Sequence, residues 1–253
     1  YRALKLRYNI LNPEIIISRS QDIELKKKFK FLKKKTKIIR LSDHNSKLKN
    51  VINYRINFTE NNNFPTKHYY GDRNLFTLFT SGSTGIPKGV LHKLAGYSLY
   101  SKLTSKYQFG MTNKSVVLTA SDAGWINGHT YSLFGPLSNG STTIILEKPT
   151  LILNKKILEM VIHKYKVSIL YLPVTILRLL KTKFPDMKFN SDNLKCLGAM
   201  GEPLSPKIAK WFRNIFKKKL NIVNTYFQTE TSGIIYSSKY NDNKKNYENR
   251  SCG

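Results

Sequence analysis

The ten residues Thr80-Ser81-Gly82-Ser83-Thr84-Gly85-Ile86-Pro87-Lys88-Gly89 carry four hydroxyls, three glycines and one lysine. Glycines let backbone N–H groups converge, hydroxyls donate to phosphate oxygens, and Lys88 adds positive charge, so the string could cradle a polyphosphate. It is not a Walker A loop, which needs Gly-Lys-Ser/Thr in succession, whereas Pro87 stands before Lys88. A flexible Gly/Ser connector is the plainer reading, but it leaves Pro87 and Lys88 without a reason.

Three further strings carry chemistry. In Ser121-Asp122-Ala123-Gly124-Trp125-Ile126-Asn127-Gly128-His129, Gly124 and Gly128 permit close approach, while Trp125 and His129 offer an aromatic wall and a polar group. Both could instead be ordinary core residues. Gly198-Ala199-Met200-Gly201-Glu202-Pro203 reads as a strand-to-helix turn. Asn224-Thr225-Tyr226-Phe227-Gln228-Thr229-Glu230-Thr231-Ser232-Gly233 ends in a segment too polar to be buried without partners.

The first string resembles the phosphate-binding loop of the adenylate-forming superfamily, which includes acyl-CoA synthetases, luciferases and peptide-synthetase adenylation domains. The Asp-x-Gly-Trp-x-x-Gly-His string, followed by Gly135-Pro136-Leu137, is similar to the short-chain branch of acetyl- and propionyl-CoA synthetases. The resemblance runs from about Tyr69 to Gly233, with the motifs in the family's order. It implies that Thr80, Ser81, Gly82, Ser83, Thr84, Gly85 and Lys88 hold the β- and γ-phosphates of ATP. It implies that Gly201, Glu202 and Pro203, with Asn224, Thr225, Tyr226, Phe227, Gln228 and Thr229, line the nucleotide. Thr229 would meet the α-phosphate, Tyr226 would stack on adenine, and Glu230 would bind Mg2+. Lys88, Thr229 and Glu230 would carry catalysis.

Trp125, Ile126, Asn127, Met200 and Phe227 would form the acyl pocket, with Asn127 also facing CoA. Asn127 stands where the family often has Thr, Asn224 where it has Asp, and Phe227 where it has Trp. The implied activity is acetate–CoA ligation in two steps through an acyl-adenylate, with ATP, a short-chain carboxylate and CoA as small-molecule substrates. The family also uses a downstream Asp, an Arg and a mobile C-terminal domain with a Lys, none of which this stretch contains. Propionate as substrate, a non-catalytic remnant and a basic nucleic-acid-binding protein remain alternatives.

The elements that must position these motifs alternate. Strand signals fall at Leu75–Thr80, Val116–Thr119, Thr142–Leu146, Ser168–Leu172, Leu194–Leu197 and Ile222–Tyr226. Helical spacing falls at His92–Lys106, Asn154–Tyr165 (capped by Asn154), Val174–Lys183 and from Ser205-Pro206 through Phe216. The phosphate-type loop is expected to follow a strand and precede a helix. Leu11–Ile17 looks like a strand. Several strands are apolar on both faces, which points to an α/β fold: mainly parallel sheets with helices packed on them, as in the large N-terminal domain of an adenylate-forming enzyme. In such a fold ligands sit at the carboxyl ends of strands, where the motifs fall. Composition divides the chain into a basic, Asn/Lys-rich part, 1–70, and a regular part, 71–253; the resemblance implies that these are the N-terminal and central parts of the AMP-binding domain, with the C-terminal mobile domain absent.

The 253 residues include 43 Lys+Arg and 15 Asp+Glu, a net charge of +28, with 40% hydrophobic residues. That apolar content excludes a disordered chain. Two cysteines exclude a disulfide scaffold and fit a reduced, cytoplasmic setting. No apolar run reaches the ~18 residues of a membrane span. The charge suggests nucleic acid, yet it comes from 34 Lys and only 9 Arg, alongside 23 Asn and 23 Ile. That joint rise reads as compositional drift rather than a phosphate-reading surface, so no specific nucleic-acid partner is expected. The densest run, Leu25–Arg40, reads as a solvated helix face. The start at Tyr1 and the polar stretch before Gly253 read as a piece of a longer gene product.

Overall fold

The computed structural model describes residues 2–19, 24–25, 27, 29–33, 35–41, 48, 51–54, 65–80, 85–216, 220 and 222–238. The chain forms two compact units: residues 1–69 with 79–89, and residues 70–78 with 90–253.

In the smaller unit, α1 (Arg2–Leu11) precedes three parallel strands in spatial order β1 (Ile15–Ser18), β2 (Lys37–Leu41), β3 (Val51–Tyr54). Leu11 therefore closes a helix, and the expected strand over Leu11–Ile17 starts only at Ile15. Asn12 takes the left-handed conformation (φ 44°), its N–H donates to the Tyr8 carbonyl at 2.7 Å, and Pro13 cannot continue the helix. The basic run is also corrected at its end. Residues 37–41 pair as a strand with Ile38 and Arg40 buried, an alternation no solvated helix face would show.

The larger unit is built on a six-stranded sheet, with β11 (Gly233–Ser237) at one edge, then β10 (Ile222–Gln228), β9 (Cys196–Met200), β8 (Ile169–Pro173), β6 (Val116–Thr119) and β7 (Thr142–Ile144). All neighbours pair parallel except β10 and β11. Alternate residues feed two cores. Leu118, Leu170, Leu172, Leu197 and Ala199 join one, and Val117, Ile169, Tyr171, Cys196 and Met200 join the other. The first core takes in residues of α5 (Lys155–Lys164), α6 (Val174–Lys183) and α7 (Pro206–Asn214). The second takes in Phe109 of α2 (Leu94–Phe109) and Tyr131 of a helical segment over 126–138. This explains why β8 is apolar throughout: each buried large side chain contributes about 1.5–3 kcal/mol.

The loop after β4 (Asn74–Thr80) does not lead straight into a helix. A further strand, β5 (Lys88–Lys93), pairs with β4 before α2 begins. Val90 and His92 turn inward while Leu91 and Lys93 face out, a two-residue period that takes His92 and Lys93 out of the expected helix. The carbonyls of Arg73 and Gly71 accept the N–H groups of Leu94 and Ala95 at 2.9 Å each, satisfying the start of α2. The other helix starts fall where the caps predict. Asn154 Oδ1 accepts from the N–H of Lys156 at 3.0 Å, and Ser205 Oγ accepts from that of Ile208 at 3.4 Å. None of the described helices is long and apolar enough to cross a membrane.

Candidate functional site

Three motifs lie where strands of the large sheet reach their carboxyl ends. After β6, Asp122 Oδ1 accepts the Gly124 N–H at 2.7 Å, and the Asp122 carbonyl accepts the Trp125 N–H at 3.1 Å. The turn packs onto Gly128, where an added Cβ would lie 2.2 Å from the Asp122 carbonyl oxygen, so only glycine fits. The chain then runs through α3 (Ile126–His129), a π-helical turn (Thr130–Phe134) and α4 (Gly135–Ser138). A π-helical turn inside a helix is a common mark of a functional segment.

This turn sorts the expected pocket residues. Ile126 and Asn127 are buried, and Asn127 Nδ2 donates to the Met200 sulfur at 2.9 Å. Phe227 packs against the same core as Met200. Trp125, in contrast, is 66% exposed and takes no part in that cluster, because it precedes the helix in an extended conformation. The Asn127 amide, expected to face CoA, is turned toward Met200.

At the end of β9 the strand extends to Met200, further than the expected Leu194–Leu197, so Gly198, Ala199 and Met200 belong to the sheet. Gly201 then turns the chain with φ +88°, a conformation that favours glycine. Glu202 is half-buried and meets Arg178 of α6 at 2.5 Å, an ion pair that the sequence did not suggest. Pro203 is exposed.

At the end of β10, Asn224 and Thr225 are buried, Tyr226 and Gln228 exposed, and Phe227 and Thr229 half-buried. The Thr225 hydroxyl bonds the Tyr171 hydroxyl at 2.6 Å and donates to the Ala199 carbonyl at 2.9 Å, so this side chain braces the sheet. Gln228 Nε2 donates to the Tyr226 hydroxyl at 2.8 Å. The turn 229–232 follows. Glu230 is exposed on it and, among the described residues, makes no ion pair. A carboxylate so presented, next to the Thr229 hydroxyl, fits Mg2+, which takes one or two carboxylates together with phosphate oxygens.

Of the phosphate-type loop, Thr80, Gly85 and Lys88 belong to the smaller unit, with Gly85 at φ +73° and Lys88 exposed. Ser81, Gly82, Ser83 and Thr84 lie outside the described residues.

Sequence reasoning passed over His92. Its Nδ1 lies 3.0 Å from Ser232 Oγ, and its ring packs 4.8 Å from that of Phe76, which also stacks on His129 at 4.8 Å. Burial pushes the His92 imidazole below its ordinary pKa; the nearby His129 works the same way and Glu230 works against both. The signal was present as an inward position in the alternation of β5. Cys196, fully buried, has its thiol pushed up by burial and is unreactive.

The family model for AMP-binding enzymes matches residues 5–253. Acetyl-coenzyme A synthetase 1 of Debaryomyces hansenii is 43% identical over 172 residues, covering 66% of this chain and 26% of that protein. The acetyl-coenzyme A synthetase of Vibrio cholerae is 42% identical over 176 residues, covering 68% of this chain and 27% of its own length. The chain thus spans only about a quarter of the length of these curated relatives. The crystal structure of a Brucella canis acyl-CoA synthetase superposes with a TM-score of 0.72 at 21% identity, covering 90% of this chain and 41% of that one, which establishes a shared fold. With the match running from residue 5 to residue 253, the chain belongs to the AMP-binding enzyme family.

Proposed function

We propose that the protein containing this chain activates acetate with ATP and passes the acyl group to CoA. The carboxylate attacks the α-phosphorus and displaces pyrophosphate, leaving acyl-adenylate. The CoA thiol then attacks the acyl carbon and AMP departs. The observation that carries this reading is the identity of 42–43% to acetyl-coenzyme A synthetases. The strand-end clustering of the motifs agrees with it.

No covalent enzyme intermediate is required, so this chain's residues act by binding, orientation and charge neutralisation. Lys88, with Thr80, Ser81, Gly82, Ser83, Thr84 and Gly85, neutralises and holds the departing β- and γ-phosphates. Gly201, Glu202 and Pro203, with Asn224, Thr225, Tyr226, Phe227 and Gln228, form the nucleotide wall, the buried Asn224 and Thr225 by main chain and sheet geometry. Thr229 donates to the α-phosphate, and Glu230 is the Mg2+ ligand. Mg2+, when bound, neutralises phosphate charge as it moves onto the leaving group. Small-molecule substrates and a cytoplasmic setting belong to the same proposal.

Ile126, Asn127, Met200 and Phe227 set acyl length. Phe227 is smaller than the family's Trp and opens space, while Met200 takes some back. One methylene in an apolar pocket is worth about 1–3 kcal/mol, or roughly 10–200-fold. The opposed changes predict kcat/KM for propionate within about tenfold of acetate, with butyrate poor. Measuring the three acids on the intact enzyme checks this, and a preference for butyrate contradicts the pocket.

A further inference from the structure

Ser232 is a serine in the left-handed conformation, with φ +67°. A non-glycine residue there costs of order 1–3 kcal/mol and persists only where its surroundings hold it. The surroundings are visible. The Ser232 N–H donates to the Thr229 carbonyl at 3.1 Å, closing the turn that carries Thr229 and Glu230. The Ser232 carbonyl accepts from Thr130 Oγ1 at 2.7 Å. Since that hydroxyl proton is spent on Ser232, the buried Tyr97 hydroxyl, 2.9 Å from Thr130 Oγ1, is the donor of the next bond. The Ser232 hydroxyl meets His92 Nδ1 at 3.0 Å.

Two residues further on, the Ile234 N–H donates to the Tyr131 hydroxyl at 2.9 Å, which donates to Thr104 Oγ1 at 3.1 Å. Thr104 donates to the Tyr100 carbonyl at 2.8 Å, and the Tyr100 hydroxyl donates back to the Ile234 carbonyl. The segment after Glu230 is therefore tied to β5, α2 and the π-helical turn. The half that carries Thr229 and Glu230 is turned outward. His92 is itself fixed by rings, 4.8 Å from Phe76 and 5.4 Å from Tyr97, so it offers Ser232 a rigid partner.

We propose that His92 and Ser232 form a latch that holds the Thr229–Glu230 turn in the geometry that engages the α-phosphate and Mg2+, making His92 a positioning residue. This rests on the roles proposed for Thr229 and Glu230. Ser232 supplies what a glycine at the same backbone angle could not, a side-chain anchor from the turn to β5. His92 lies four residues after Lys88 in that strand, so the strand that leaves the phosphate-type loop also steadies the metal-bearing turn.

The test compares Ser232→Ala, His92→Phe and His92→Asn in the intact enzyme. Phe keeps the ring packing without a nitrogen, and Asn can place an amide where Nδ1 stands. Outer partners of metal ligands are typically worth about 10–100-fold. Ser232→Ala and His92→Phe are expected to lower acetate-dependent ATP–pyrophosphate exchange about tenfold and to raise the Mg2+ needed for half-maximal rate. His92→Asn should recover most of the loss, and the double variant should be no worse than either single one. In metal-free protein, both single losses should speed amide hydrogen exchange at Ser232 and Ile234. Folded variants with unchanged Mg2+ requirement and unchanged amide protection would overturn the latch, as would losses that multiply in the double variant. Glu230→Gln separates the two readings. If it leaves exchange intact, the role given to the turn fails and the latch with it. If it abolishes exchange while the latch variants match wild type, the latch alone fails.

Discussion

Packed against Phe76 and Tyr97 and bonded to Ser232, the His92 imidazole is held neutral, and that neutrality has a stability consequence. Its folded pKa lies below the ordinary 6.5, chiefly through burial. As pH falls through that ordinary value the unfolded chain takes up a proton that the folded chain refuses. Stability is therefore full above this range and is lost as pH drops through it toward the folded pKa. The expected outcome is a urea midpoint that falls between pH 7.5 and 5.5 in the wild type and falls less in His92→Phe. Equal pH dependence in both would mean that His92 is not held neutral. At the same scale, Asn127 bonds Met200 and Ile126 is buried, whereas Trp125 is exposed. Residue type alone could not separate adjacent Trp125 and Ile126. Their burial depends on where α3 begins, one residue after the tryptophan.

Among the elements, the legible features were local. Asn154 and Ser205 predict their helices because a cap is a bond between a side chain and an N–H two or three residues away. Ser205→Ala should cost about 1 kcal/mol, read as a lower midpoint in denaturant titration with an unchanged slope. A loss below the error of the titration would show that Pro206 and packing start α7 without the cap. Features that depend on distant chain stayed hidden. The π-helical turn forms where Thr130 and Tyr131 reach Ser232 and Ile234, about a hundred residues along the chain. β5 was hidden because Leu94, Tyr97 and Leu103 continue an apolar pattern that begins with it, and only its pairing with β4 separates strand from helix. The parallel sheet was readable because β8 and β9 are apolar on both faces.

For the molecule as a whole, the +28 charge and the family membership draw opposite expectations about partners. On the proposed function the motifs serve nucleotide chemistry, and the basic residues are mostly Lys, which lacks the bidentate fork used to read bases. Association with duplex DNA should then be only the sequence-independent kind, with Kd no tighter than about 10⁻⁶ M at physiological salt and steeply weaker as salt rises. Filter binding across a salt series measures this. Nanomolar affinity at physiological salt, or preference for one sequence, would restore the nucleic-acid reading.

On the proposed function, this chain supplies the phosphate-handling part of an enzyme that adenylates short carboxylates. Acetate-dependent ATP–pyrophosphate exchange by the intact enzyme, compared between wild type and Lys88→Ala, tests it most directly. Exchange should require acetate and fall at least tenfold, about 1.4 kcal/mol in the barrier, when the Lys88 charge is removed. Exchange that does not depend on acetate, or that Lys88→Ala leaves unchanged, would contradict it.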